Sequence, residues 1–220
     1  MEFTVMKNIL GASQEKANDV RALLAQKKVL MLNLIGSPGG GKTTILERTL
    51  EDLAGTLRFA IIEGDVATDR DARRLQKFDV PMVLINTDGA CHLEPISVLQ
   101  ALEKFDLDTI DVVIVENVGN LVCPAEFDIG EHAKIAVSSV TEGEEKPEKY
   151  PLLFSEAKLL LLNKMDIAEV VGFSKSAFTD AVETVNASLP MIEISSRTRD
   201  GMKIWYEWLK DELAALKKTA

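Results

Sequence analysis

Two spacings of hydrophobic residues alternate along this chain. Short, continuously apolar runs rich in valine, isoleucine and leucine predict buried β-strands, at residues 29–35, 58–62, 81–85, 112–115, 135–140, 159–162 and 191–194. Between them, apolar residues recur at helical spacing, which predicts helices at residues 13–26, 43–53, 68–78, 95–105, 174–187 and 205–217. Residues 86–92 and 116–131 show neither spacing, and the charged stretch 141–149 is predicted to be an exposed loop.

This alternation of strands and helices predicts an α/β fold, in which helices cover both faces of a mostly parallel sheet. A chain of 220 residues fits a single domain. We divide it into an N-terminal helical extension at residues 1–28 and the main domain at residues 29–220. Ligands of such sheets bind beyond the carboxyl ends of the strands. The residues that directly follow each predicted strand are therefore the candidates for chemistry.

Composition and charge narrow the range of partners. The chain carries 25 basic and 35 acidic residues, a formal net charge of −10, so neither nucleic acid nor an anionic membrane is expected as a partner. No apolar stretch approaches the roughly 20 residues that span a bilayer, and the first residues lack the pattern of a secretory signal. Two cysteines make no disulfide framework. We therefore expect a protein of the reducing cytoplasm.

The stretch after the first predicted strand matches G-x-x-x-x-G-K-[ST] and leads into an amphipathic helix, the context of a phosphate-binding loop. Glycines let backbone N–H groups surround phosphate oxygens, and the helix presents its positive N-terminus to the same anion. Lys42 is expected to reach the β- and γ-phosphates, and Thr43 to place its hydroxyl on Mg²⁺. The nucleotide-binding residues predicted here are Gly36, Pro38, Gly39, Gly40, Gly41, Lys42, Thr43 and Thr44.

The tetrapeptide Asn163-Lys164-Met165-Asp166 directly follows another predicted strand. A carboxylate here accepts hydrogen bonds from guanine N1–H and N2–H₂, a donor pair that adenine lacks, so we predict GTP and GDP as ligands. The asparagine is expected to serve the guanine carbonyl, and the stem of Lys164 to cover the base or the loop. After the last predicted strand, Ser195, Ser196 and Arg197 are predicted to lie beside the base. An ordinary polar loop with a helix cap explains these three residues equally well.

Carboxylates end two other predicted strands. Asp65 follows the second strand, where it can hold Mg²⁺ directly or through water together with Thr43. Glu116 ends the fourth strand and is a second candidate for the Mg²⁺ shell. Asp69 and Asp71 lie just beyond Asp65. They are candidates for catalysis alongside Lys42, Asp65 and Glu116, although they can also simply charge a helix N-terminus. Which carboxylate positions the attacking water is left open.

The four residues Glu116-Asn117-Val118-Gly119 stand where small GTPases have D-x-x-G. Gly119 is predicted to donate its N–H to the γ-phosphate. Asn120 follows it, in place of the glutamine that usually orients the attacking water. Slow intrinsic hydrolysis is therefore expected.

Both cysteines and one of the two histidines fall in loops after strands, on the side of the sheet where the nucleotide is expected. Cys91, His92 and Cys123 form a set of soft sulfur and nitrogen ligands suited to Zn²⁺ or Ni²⁺. Cys91 and His92 can share one ion only from a turn, and Gly89-Ala90 supplies the turn chemistry. Water, another side chain or a second subunit would complete the site, with His132 as a weaker candidate. Two buried structural cysteines are the alternative.

Several of these stretches together resemble a known family, the GTPases that incorporate nickel into [NiFe] hydrogenase (the HypB family). The resemblance rests on the phosphate loop, Glu-Gly-Asp-Val at 63–66, residues 69–74, Cys-His-Leu at 91–93, Glu-Asn-Val-Gly-Asn-Leu-Val-Cys-Pro at 116–124 and Asn-Lys-Met-Asp at 163–166. It implies a P-loop G domain of the SIMIBI type at residues 29–220. It also implies a GTP-driven metallochaperone whose metal site is Cys91, His92 and Cys123.

The same resemblance implies a GTP-dependent homodimer with that metal site at the interface, a nickel-delivery partner protein and the hydrogenase large subunit as recipient. This sequence departs from some members of the family in the N-terminal region that stores nickel. Some relatives carry an N-terminal cysteine or histidine cluster, whereas residues 1–30 here contain neither residue type. The cluster in the G domain is thus the expected metal site.

Other functions remain open on the sequence. A urease-type nickel GTPase shares the phosphate loop, but its Cys-Pro-His motif is absent here. A GTPase chaperone of cobalamin enzymes is more distant and lacks the Cys-His and Cys pair. A small-molecule kinase with a phosphate loop is disfavoured by residues 163–166. A GTP switch with structural cysteines is the remaining alternative.

Overall fold

The structure, a computed structural model, describes residues 9–65 and 74–219 of the chain. The strands are β1 (Leu30–Gly36), β2 (Phe59–Asp65), β3 (Met82–Asn86), β4 (Val112–Glu116), β5 (Ala133–Ser139), β6 (Leu159–Asn163) and β7 (Met191–Glu193). The α-helices are α1 (Ile9–Lys27), α2 (Lys42–Leu53), α3 (Pro95–Leu102), α4 (Cys123–Glu126), α5 (Lys146–Lys149), α6 (Pro151–Glu156), α7 (Lys175–Asn186) and α8 (Met202–Thr219). Single 3₁₀ turns lie at Gln76–Phe78, Leu107–Thr109, Val140–Glu142 and Met165–Ile167.

The strands form one sheet in the order β3-β2-β4-β1-β5-β6-β7, and neighbouring strands are parallel. This confirms the predicted α/β fold. Strand β1 lies between β4 and β5, so the chain leaves it toward both edges of the sheet. A crevice opens at the carboxyl ends of such a pair of strands, and ligands bind there. The phosphate loop follows β1 and therefore occupies this crevice.

Helices cover both faces of the sheet because successive residues of a buried strand point to opposite faces. Leu32 of β1 packs in a cluster with α2 and α8, whereas its neighbour Met31 packs in a cluster with α1 and α3. Helices α6 and α7 cover the β6 side of the second face. There Phe154 and Phe178 meet edge to face, with ring centroids 6.5 Å apart.

Trp205 ties α8 to α2. Its side chain is fully buried, and its indole N–H donates to Thr49 Oγ1 at 2.9 Å. Trp208, the other tryptophan of the chain, stacks on it with ring centroids 5.6 Å apart. Because α2 begins at Lys42, this pair of rings packs against the helix that leaves the phosphate loop.

Each predicted strand is present, and their ends differ from the predictions by a few residues. The largest extension is that of β2, which continues to Asp65. Residues 66–73, most of the predicted helix at 68–78, lie outside the described residues. The exposed loop predicted at 141–149 is wrong, since it contains the end of a 3₁₀ turn and all of α5. Its charged side chains make specific contacts: Glu142 accepts from the Ser139 N–H at 3.2 Å, and the Lys146 ammonium donates to Ser37 Oγ in the phosphate loop at 2.7 Å.

Helix α1 packs into the core of the domain. Val20 and Leu24 are fully buried and share a hydrophobic cluster with Met31 of the sheet. The division of the chain at residue 28 stays a prediction. In the part of the chain that the structure describes, no helix has both the length and the apolar character needed to cross a bilayer.

Asp111 holds the amino-terminal edge of the sheet together just before β4. Its carboxylate accepts from the Arg58 guanidinium at 2.9 Å and 3.1 Å, and from the Lys217 ammonium at the end of α8 at 2.8 Å. The hydrogen bonds from Arg58 hold the pKa of Asp111 far below its ordinary value, against the opposing effect of burial. The carboxylate is therefore a stabilising contact in its charged form.

Replacing Asp111 with asparagine is expected to lower the free energy of unfolding by about 1–2 kcal/mol at pH 7. Because the folded-state pKa is depressed, the wild-type advantage is complete above about pH 4 and shrinks as the pH falls below it. Urea unfolding of both proteins at pH 7 and pH 3 measures this difference. The same exchange at the exposed Asp211 of α8 serves as the control and should cost little at either pH. A difference that does not depend on pH would contradict the assignment.

Candidate nucleotide and metal sites

The phosphate loop is shaped by Gly41, which caps the N-terminus of α2 with a positive φ of 102°. A side chain there would also collide with the Asn163 amide. The next residue, Lys42, is buried, and its ammonium donates to the Gly36 carbonyl at 3.0 Å across the loop. The lysine and the N-terminus of α2 thus face the same space, as a bound anion requires.

A cavity of about 670 Å³ opens above this loop, a volume suited to a nucleotide. It is lined by the carboxyl ends of β2, β4 and β6, by the loops after β1, β4, β6 and β7, and by the start of α2. The lining residues predicted from the sequence are Pro38, Gly39, Gly41, Lys42, Thr43, Thr44, Glu116, Gly119, Asn163, Lys164, Asp166 and Ser196. Glu63, Gly64, Arg74, Asn117 and Ile167 also line it, although no individual site role was predicted for them, and Arg197 lines it next to Ser196.

Acidic side chains form the floor of this cavity beside Thr43. The threonine hydroxyl donates to Glu116 Oε1 at 2.8 Å, within the core of the protein. Glu63 pairs in register with Glu116 across β2 and β4, and both side chains are 3% exposed. Asp65 rather than Glu63 was predicted to hold the metal ion, although Glu63 directly follows the second predicted strand and met the same criterion. The backbone of Asp65 ends β2, and Asp69 and Asp71 lie outside the described residues.

Asn163 joins the phosphate loop to the loop after β7. Its amide is fully buried, donates to the Gly40 carbonyl at 3.0 Å and accepts from the Ser196 N–H at 3.0 Å. The neighbouring Lys164 has a positive φ of 64°, and its ammonium donates to the Gly39 carbonyl at 2.7 Å. The first two residues of this motif therefore brace the phosphate loop. A contact of Asn163 with a guanine carbonyl stays a prediction.

Asp166 also lines the cavity. The Ser195 hydroxyl donates to its Oδ1 at 2.7 Å, and Arg197 lies 3.7 Å from its Oδ2. Ser195 is 1% exposed and is not among the residues that line the cavity, so its contact with the site is the hydrogen bond to Asp166. Ser196 does line the cavity beside Asn163.

The loop after β4 rests directly on the phosphate loop. A Cβ atom built on Gly119 would lie 2.5 Å from Cγ of Pro38, so no side chain fits between them. A buried chain of hydrogen bonds supports this loop from below: the Val118 N–H donates to Asn117 Oδ1 at 3.0 Å, and the Asn117 amide donates to Asn33 Oδ1 at 3.1 Å. The Asn33 amide in turn donates to Glu131 at 3.1 Å.

Cys91, His92 and Cys123 come together at the carboxyl edge of the sheet, with their ligand atoms all within 4.8 Å of one another. Cys91 Sγ lies 2.7 Å from Cys123 Sγ and 3.6 Å from His92 Nδ1. A turn with positive φ at Asp88 and Gly89 places Cys91 and His92 on the same side, as predicted. Both cysteines are free thiols. Because the Cys91 thiol donates to Cys123, the pKa of Cys91 is raised.

This donor set fits a borderline or soft divalent cation. Two thiolates on one tetrahedral ion stand about 3.7 Å apart, so binding would part the two sulfur atoms by about 1 Å. The His92 ring is already oriented: it stacks on Phe127 at 3.8 Å, and its Nε2 pairs with Glu94 at 3.0 Å. Carboxylates commonly hold a ligating imidazole in this way.

His132 lies away from this cluster. It precedes β5, and its Nδ1 accepts from the Met31 N–H at 3.0 Å, at the amino-terminal edge of the sheet. Burial lowers the pKa of His132, which suits a neutral ring that accepts a hydrogen bond. The suggestion that His132 supplies a fourth ligand is therefore wrong for this arrangement.

Comparison with known proteins agrees with this geometry. Residues 30–193 match the protein family described as CobW/HypB/UreG, nucleotide-binding domain. The hydrogenase maturation factor HypB of Escherichia coli K12 is 42% identical over 208 residues, which cover 94% of this chain and 72% of that protein. The chain belongs to the HypB family. It therefore has the P-loop GTPase fold and is a nucleotide-hydrolysing enzyme.

Solved structures of the HypB family are similar over nearly the whole chain. That of Archaeoglobus fulgidus HypB has a TM-score of 0.87 at 32% identity and covers 92% of this chain and 99% of the other. Helicobacter pylori HypB in complex with nickel has a TM-score of 0.88 at 32% identity, covering 93% and 96%. The signal recognition particle receptor FtsY of Elizabethkingia anophelis, 15% identical with a TM-score of 0.55, shares the fold alone.

Replacing Gly119 with alanine is expected to push the loop after β4 away from Pro38. Affinity for a non-hydrolysable nucleoside triphosphate should fall about tenfold, as a clash of about 1–3 kcal/mol implies, and diphosphate affinity should change less. Fluorescent-nucleotide titration measures both. Gly55→Ala is the matched control, since a Cβ atom there meets nothing within 4 Å. An equal loss of affinity for the triphosphate and the diphosphate would contradict a contact between Gly119 and the γ-phosphate.

Proposed function

We propose that this chain is a GTP-hydrolysing metallochaperone that delivers nickel during the maturation of [NiFe] hydrogenase. The observation that carries the proposal is the set of three soft donors within 4.8 Å of one another, on loops next to the nucleotide cavity. Close relatives named as hydrogenase maturation factors support it, as does the nickel complex of H. pylori HypB. Nickel is the cargo in this function, with Zn²⁺ as a competing occupant of the same ligands.

Guanine is the base that the proposal assigns to the cavity. Asp166 faces the cavity and is oriented by the Ser195 hydroxyl at 2.7 Å. An ionised carboxylate only accepts hydrogen bonds, which matches the two donors on the Watson–Crick edge of guanine. Adenine would leave that acceptor without its donor pair, which costs affinity.

Replacing Asp166 with asparagine should reverse this preference in favour of xanthosine nucleotides, because the amide presents a donor where the carboxylate accepted. Competition between GTP, XTP and ATP for the purified protein measures the change. Ser195→Ala is the control, since it removes only the hydroxyl that orients Asp166 and should weaken GTP without changing the preferred base. A wild type that binds ATP as tightly as GTP would contradict the assignment.

Mg²⁺ would be held by Thr43 and Glu116, with Asp65 as a further carboxylate. The ion would neutralise charge on the β- and γ-phosphates during transfer to water. Lys42 and the N-terminus of α2 would bind the same phosphates, and Gly119 would contact the γ-phosphate. Asp69 and Asp71 complete the proposed catalytic set.

Hydrolysis is proposed to be slow in the absence of a partner protein. Asn120 takes the place of the usual glutamine, and both ends of its amide are engaged in hydrogen bonds to the backbone. These two contacts hold the side chain against the backbone of the neighbouring loops, away from the water-orienting role of a glutamine. Phosphate release by the purified protein measures this rate, and turnover at the level of an activated GTPase would overturn the proposal.

A GTP-dependent homodimer would couple the nucleotide to the metal. The loop from Glu116 to Cys123 has a γ-phosphate contact near its start and a metal thiolate at its end. A two-fold interface at this edge would bring a second Cys-His and Cys set nearby and complete the coordination. A nickel-delivery protein and the hydrogenase large subunit are the proposed partners, and the cytoplasm the proposed location.

Replacing Cys91 with alanine should weaken Ni²⁺ binding more than tenfold, because one of three clustered donors is lost. Competition of NiSO₄ with a chromophoric chelator measures this in the nucleotide-free, GDP and GTP-analogue states, and sedimentation of the same samples measures dimerisation. His132→Ala is the matched control, since that ring lies outside the cluster. Unchanged Ni²⁺ binding in Cys91→Ala would contradict the proposed metal site. A monomer in every nucleotide state would contradict the proposed dimer.

A further inference from the structure

One amide side chain spans the two loops that carry the metal donors. The Asn120 Nδ2 donates to the carbonyl oxygen of Cys91 at 3.2 Å. Its Oδ1 accepts from the Val122 N–H at 2.9 Å. Val122 directly precedes Cys123 and caps α4, so the two bonds fix the backbone beside both thiols.

The same residue follows the point where the loop touches the phosphate loop. Gly119 lies against Pro38 with no room for a Cβ atom between them. The Asn120 N–H donates to the Val118 carbonyl at 2.7 Å, which closes a tight turn around Gly119. A displacement of Gly119 must therefore move Asn120 as well.

We propose that Asn120 is the positioning residue that transmits the nucleotide state to the metal cluster, because its amide fastens the Cys91 loop and the Cys123 loop to the residue after Gly119. This inference rests on the proposed function, since it assigns a mechanism to the coupling of the two sites. Continuity of the backbone links Gly119 to Cys123 alone. The Asn120 amide adds the link to Cys91, which lies on a different loop.

Only a side chain with both a donor and an acceptor can make this bridge. Aspartate keeps the acceptor for the Val122 N–H but places a carboxylate oxygen against the Cys91 carbonyl. Alanine removes both bonds. The two substitutions therefore separate the Cys91 half of the bridge from the Val122 half.

The readout is the ratio of Ni²⁺ affinities in the GTP-analogue and GDP states, measured with NiSO₄ and a competing chelator. In the wild type we expect a ratio of about 5–150 in either direction, the usual range for coupled sites. In Asn120→Ala and Asn120→Asp the ratio should fall toward one, while the affinity for each nucleotide stays within about threefold of the wild type. The added negative charge of the aspartate variant changes the Ni²⁺ affinity in both nucleotide states alike. Such a uniform change cancels in the ratio of the two affinities, whereas it would alter each absolute affinity.

Asn186→Ala is the matched control. Asn186 makes the same kind of bridge at the end of α7, donating to the Phe154 carbonyl at 3.1 Å and accepting from the Ser188 N–H at 3.2 Å. It should lower stability without changing the affinity ratio. A merely structural role for Asn120 would make the two alanine variants alike in this measurement.

The outcomes separate this inference from the function on which it rests. If the wild type binds Ni²⁺ with different affinities in the two states and both Asn120 variants keep that difference, the inference is overturned and the proposed function stands. Equal wild-type affinities would overturn the coupling and with it the role of Asn120. A wild type that binds no Ni²⁺ would overturn the proposed function itself.

Discussion

The contact between Gly119 and Pro38 is the constraint on which the site depends. It brings the loop after β4 against the phosphate loop so closely that a Cβ atom would lie 2.5 Å from the proline ring. Two loops in van der Waals contact cannot move independently. Because the sheet is parallel and both loops leave neighbouring strands at the same edge, this proximity follows from the topology. The acidic floor, the nucleotide cavity and the metal cluster are arranged around that contact.

Buried asparagine side chains also connect these two loops to the sheet. Asn163 binds the phosphate loop from the β6 side, while Asn33 and Asn117 support the loop after β4 from within the core. Each amide is buried with its donor and acceptor engaged, so a shift of one loop breaks a hydrogen bond that no water replaces. The crevice is therefore held by directional bonds, in contrast to the apolar packing beneath it.

Features that depend on a local sequence pattern were predictable, whereas features that depend on tertiary contacts were not. Strands such as β4 and β6 were predictable because a parallel strand buried on both faces must be continuously apolar. Residue type and spacing alone indicated the chemistry of the phosphate loop. Residue type likewise indicated the metal donors Cys91, His92 and Cys123. Glu63 directly follows a predicted strand, but its place beside Glu116 depends on the register of β2 against β4, which the sequence does not specify. The bridging role of Asn120 depends on contacts between loops, which no local pattern records.

The stacked indoles of Trp205 and Trp208 give the protein a built-in optical probe. They are the only tryptophans in the sequence, and Trp205 is hydrogen-bonded to Thr49 on the helix that begins at Lys42. Emission from the intact, unlabelled chain thus originates at one place, on the face of α2 that is turned away from solvent. Any nucleotide-driven tilt or rotation of that helix would alter the environment of a single pair of fluorophores. The spectrum would report helix movement separately from the ultraviolet absorption of a metal–thiolate bond.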